Sequence, residues 1–168
     1  MNDVPKTNTS TAGFTIIENI FAVGIIALGF AGLYALSAQC MRIMHSSREE
    51  MAAMQSLQDR GDSLRKCTWV QITNPTYLSS NIMNTAANNA PLTDRMTETV
   101  TINAYPTALN PAIKLTRSGA GVVTVVSSNS AIANGDLLNI NIQMSWTSWS
   151  GNRPHTAAMS TTFAENTR

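Results

Sequence analysis

From Ile20 through Ala38 the chain runs about 19 residues without a charge or a proline, roughly 28 Å as a helix and close to the hydrocarbon thickness of a bilayer. A stretch this long and apolar on every side does not form the one-sided surface helix of a soluble domain. Glu18 is the single charged residue between Lys6 and Arg42. A secretory signal has a shorter hydrophobic part, about 7–15 residues, so the first reading is a membrane-spanning helix. The small residues of Ala35-Leu36-Ser37-Ala38 keep cleavage there open as the rival reading.

The segment Met41–Lys66 carries Met44, Met51, Met54, Leu57 and Leu64 at spacings of seven, three, three and seven, read as an amphipathic stripe. With no proline between Pro5 and Pro75, the two segments are expected to form one helix of about 50 residues, roughly 75 Å long. Beyond Asn74-Pro75 the texture changes. The run Thr97–Tyr105 alternates with Val100, Ile102 and Ala104 on one face, Ala112–Thr116 is a fainter strand, and Val122–Val126 and Leu137–Trp146 are clearer ones. Ser150–Pro154 reads as a turn into a last strand near His155–Phe163, and Thr76–Asp94, rich in Asn, reads as a loop. The expected fold is α+β: a long N-terminal helix whose second half packs on an antiparallel sheet of about four strands.

Charge and chemistry narrow the function. Asp, Glu, Lys and Arg make up 12% of the chain, against roughly 25% in an average soluble domain. Small polar residues stand in for them, with 52 Ser, Thr and Asn. Eleven basic against ten acidic residues suggest no polyanionic partner, so nucleic-acid binding is not expected. His45 and His155 are far apart in sequence, and Asp94, Glu98, Asp136 and Glu165 show no paired or metal-ligand spacing. No phosphate loop or nucleophile elbow is present, so neither an enzyme nor a cofactor or metal site is expected. Cys40 and Cys67 are 27 residues apart, about 40 Å on a continuous helix and far beyond the roughly 7 Å that a disulfide spans. Free thiols are the expectation. Gly24, Gly29 and Gly32 lie inside the apolar run, where small residues let helices approach one another.

The informative residues come just before that run: Gly13-Phe14-Thr15-Ile16-Ile17-Glu18. A carboxylate in a membrane helix costs about 2.5–3.5 kcal/mol at the centre and less near an end, so it points to function. Glu18 lies four residues after Phe14. A cut after Gly13 would put a new α-amino group one turn away, and in a bundle of identical helices the Glu of one subunit could meet the amine of its neighbour, fixing axial register.

Gly-Phe-Thr-Ile-Ile-Glu followed by about 20 apolar residues resembles the N-terminal signature of type IV pilins and pseudopilins. The resemblance is carried by residues 13–38. It implies a leader, residues 1–13, removed between Gly13 and Phe14 by a prepilin peptidase that also N-methylates Phe14, with Glu18 as the assembly carboxylate. It further implies a transmembrane and assembly helix over 14–40, an amphipathic continuation over 41–74, and a periplasmic or extracellular β-rich head over 75–168. Partners would be other pilin or pseudopilin subunits, the processing peptidase/methyltransferase, an inner-membrane assembly platform and lipid. The chain would be held in the inner membrane as a single-pass protein and then moved to a pilus at the cell surface.

The sequence departs from the common major pilins in two ways: no proline interrupts the apolar run, and no cysteine follows Cys67 to close a C-terminal disulfide loop. Ile140–Trp146, then Gly151-Asn152-Arg153 and a closing strand, is similar to minor pilins of the PilV type. Trp146 suits the core, while Trp149 and Arg153 suit either a subunit contact or a solvated hairpin tip. The expected function is a minor type IV pilin acting in pilus assembly or initiation. Two alternatives stay open: a minor pseudopilin of a type II secretion or DNA-uptake machine, and a signal-anchored adhesion domain that never enters a filament.

Overall fold

The computed structural model describes residues 15–86, 92–105, 112–129, 132, 136–149 and 153–165. One helix, α1, occupies Ile16–Arg65, and the chain divides into two compact units at Ile43/Met44. The expected 50-residue helix is present, but it stops before the boundary drawn at 74. Thr68 accepts a hydrogen bond from the Gln71 amide while the Gln71 side chain accepts one from the Thr68 amide, so this reciprocal cap starts a separate helix, α2 (Trp69–Ile72).

The second unit, from Met44 onward, is an α+β head. Five strands form one antiparallel sheet: β1 (Met96–Ala104), β2 (Ile113–Arg117), β3 (Val123–Ser128), β4 (Leu137–Thr147) and β5 (Pro154–Ala164), in the order β3-β2-β1-β4-β5. All five apolar runs in the sequence become strands, one more than the count of about four. The fainter run forms β2 because Ile113 and Leu115 both turn inward and are fully buried.

Alternation sorts the sheet's faces. Val100, Ile102, Leu138, Ile140, Ile142 and Met144 are buried, and the register sets Val100 against Ile142 and Ile102 against Ile140. Between those positions Thr97, Thr99, Thr101 and Asn103 of β1 stand against Ser145, Gln143, Asn141 and Asn139 of β4 on the other face. Part of the Ser/Thr/Asn excess thus has a place: it covers the side of the sheet away from the core.

The stripe of α1 that meets the sheet differs from the one expected. Ala53, Ser56, Leu57, Arg60, Gly61 and Leu64 are buried, whereas Met44, Met51 and Met54 are 56%, 64% and 55% exposed. At roughly 100° per residue, two successive three-residue steps from Met51 to Leu57 rotate about 120° around the helix, so Met51 and Leu57 do not share a face. The true stripe follows a spacing of three and four and includes small and polar residues that a search for large apolar ones passes over. Gly61 permits the close approach: a Cβ there would lie 2.3 Å from Met159 Cε.

The expected loop over Thr76–Asp94 is partly helical. Asn74 caps α3 (Pro75–Tyr77), which continues into a π-helical turn over Leu78–Ile82, and Thr93–Arg95 form a 3₁₀ turn. Leu78, Met83 and Leu92 are buried in the core, so packing holds the described parts of the segment, 76–86 and 92–94, despite its polar composition; residues 87–91 lie outside the described residues.

Candidate functional site

The first unit holds the N-terminal part of α1. Its first turn contains Glu18, whose amide donates to the Thr15 carbonyl at 3.1 Å, as the Asn19 amide does at 3.2 Å. Glu18 is exposed. From Ile16 to Leu36 twelve large apolar side chains, Tyr34 included, are exposed, from 56% at Ile26 to 82% at Ile16. Covering such a side chain is worth about 1.5–3 kcal/mol, so together they leave about 20–35 kcal/mol of transfer free energy unrealised in water. The segment is long and apolar enough to cross a membrane.

A Cβ on Gly24, Gly29 or Gly32 would meet nothing within 4 Å, so these glycines make no close approach within the chain. What the structure brings together here is an acidic residue at the start of a helical segment, the N-terminal part of α1, whose large apolar side chains are open. Gly13 and Phe14 lie outside the described residues.

Among the described residues, one buried polar pair joins the elements of the head. Arg60 Nε donates to Glu98 Oε1, and Nη2 donates to Glu98 Oε2 at 2.9 Å and to the Thr85 carbonyl at 2.8 Å, while Nη1 donates to the Ile82 carbonyl. Arg60 and Glu98 are both 2% exposed, so their desolvation is offset by several hydrogen bonds rather than by charge alone. The pair ties α1, β1 and the 82–85 segment together. Sequence reasoning missed it, although a signal was present: alternation between Met96 and Val100 puts Glu98 inward, where a carboxylate needs a cation.

His155 stacks on buried Trp146 with ring centroids 5.4 Å apart, and its Nδ1 lies 3.7 Å from Glu50 Oε1. Trp146 is 5% exposed, a core residue as its position in the β4 alternation requires. Trp149 is 81% exposed and Arg153 is exposed, both flanking the β4–β5 turn. Cys40 is exposed and Cys67 buried, both are free, and burial pushes the Cys67 thiol up. Among the described residues no group of His, Cys, Asp and Glu is arranged to hold a metal ion. Compared with family models, curated proteins and solved structures, the chain matches none.

Proposed function

We propose that this chain is a minor type IV pilin, a structural subunit stored in the inner membrane and used to start or complete a pilus. The observation that carries the reading is the open apolar helix with one carboxylate in its first turn, preceded by Gly13-Phe14 in the prepilin pattern. In this reading residues 1–13 are a leader, cleavage frees the α-amino group of Phe14, and methylation follows. Lipid covers the helix before assembly, and neighbouring pilin helices cover it afterwards. Glu18 is neutralised by the N-terminal amine of an adjacent subunit, which sets the axial position at which each helix stops sliding. Gly24, Gly29 and Gly32 let neighbouring helices close up. The head, periplasmic before assembly, becomes part of the pilus surface, and the subunit performs no catalysis.

Replacing Glu18 with Val tests the register role. Membrane insertion of the Glu18→Val chain remains normal because the change removes a charge from an apolar helix. Its recovery in sheared pili falls, whereas incorporation at the wild-type level would overturn the role. A bulky residue at Gly13 blocks processing, seen as retention of the uncut form on a gel.

A further inference from the structure

The end of the head at which α1 enters gathers three loops. β1 starts, β2 ends, β3 starts, β4 ends and β5 starts at this end, through the pairs Met96–Trp146, Glu98–Arg117, Arg117–Val123 and Thr147–Pro154. Gly119 presses against the backbone of Asp94, where a Cβ would stand 2.1 Å from the carbonyl oxygen, so the β2–β3 loop and the turn before β1 abut. Glu49 joins α1 to the same end: its Oε1 accepts from the Trp149 amide at 3.4 Å and lies 3.6 Å from Arg95 Nη2. In the head, which begins at Met44, Glu49 is in the second turn of the helical segment.

This end exposes an unusual set of side chains for a polar head. Trp149 is 81% and Val122 62% exposed, and Ala120, Arg48, Arg95 and Arg153 are exposed on the segments that meet at this end. Trp and Arg with a small apolar loop are the residues that settle at a membrane interface, the indole at headgroup depth and the guanidinium on phosphate. Chain continuity supplies the occupant, because the head's helix arrives at this end directly from the apolar run.

We propose that Trp149 and Arg153, at the end of β4 and the start of β5, form a lipid-headgroup contact: Trp149 inserts at the membrane interface and Arg153 pairs with lipid phosphate while the subunit is stored before assembly. This rests on the membrane-stored reading above. The contact holds the head against the bilayer and is given up when the subunit is extracted, so it acts as a storage latch separate from the apolar helix.

The test uses the full chain in phosphatidylcholine–phosphatidylglycerol vesicles. A lipid carrying a nitroxide on its headgroup is expected to quench part of the tryptophan emission, with that part lost in Trp149→Phe and reduced in Arg153→Glu. In a separate chain carrying Phe30→Trp together with Trp149→Phe, lipids brominated on the acyl chain report insertion of the helix through the indole introduced at position 30. Acyl-chain quenching of that indole without headgroup quenching of Trp149 would overturn the latch and leave the membrane reading standing. No acyl-chain quenching in the Phe30→Trp chain would overturn both. Trp149 is almost wholly exposed, so its replacement leaves the head folded, which near-ultraviolet dichroism from Trp146 checks.

Discussion

Gly29 and Gly61 belong to the same helix and meet opposite surroundings. A Cβ on Gly29 would find open space, while one on Gly61 would run into Met159. The second half of α1 has its partner within the chain: Ala53, Leu57 and Leu64 are sealed against the sheet, and Arg60 is held by Glu98 and two backbone carbonyls. The first half has its large apolar side chains in the open. One helix thus carries two kinds of instruction, an internal one that folds the head and, in the function proposed above, an external one that awaits lipid or other subunits. Changes in the two halves should separate stability from assembly.

The largest expected effect breaks the buried pair. Arg60→Met leaves the Glu98 carboxyl without its partner in the core, and the head should lose about 3–5 kcal/mol in urea unfolding with membrane insertion unchanged. Next comes Leu57→Ala, expected to cost about 2–5 kcal/mol through the cavity it leaves. Met54→Ala, one turn away on the uncovered face, should stay within about 0.5 kcal/mol. Equal losses at the two positions would mean that the methionine face is packed in the free chain. Gly119→Ala forces a methyl against a backbone carbonyl and should cost about 1–3 kcal/mol, whereas Gly29→Ala leaves head unfolding unchanged. The smallest effect is chemical. In a Cys40→Ser chain, burial keeps the Cys67 thiol protonated to higher pH, so alkylation near pH 8 is slower in the folded head than in urea. The gap narrows as the pH rises, and equal rates throughout would show that the thiol is open.

The apolar run was readable because it depends on no partner position: every residue carries the same message, so length alone distinguishes it. Alternation in Thr97–Ala104 and Leu137–Trp146 was equally plain, since one face of each strand is core and the other is solvent. The head's helix stripe was harder. Its contacts use Ala53, Ser56 and Gly61, chosen for closeness to the sheet, while the larger Met51 and Met54 draw the eye to a face that the chain leaves uncovered. Thr68-Trp69-Val70-Gln71 did announce a new helix start, through the reciprocal cap that shortens α1. Leu78 and Met83 anchor the stretch read as a loop, and their burial depends on neighbours distant in sequence. Glu18 stands out by its isolation in an apolar segment, and in the structure it is exposed at the helix start.

The intact mass of the chain recovered from cells tests the pilin reading most directly. The expected result is a chain beginning at Phe14, shortened by the 13 residues Met1–Gly13 and heavier by one methyl group. A chain that still begins at Met1, or one that begins after Ala38, would contradict it.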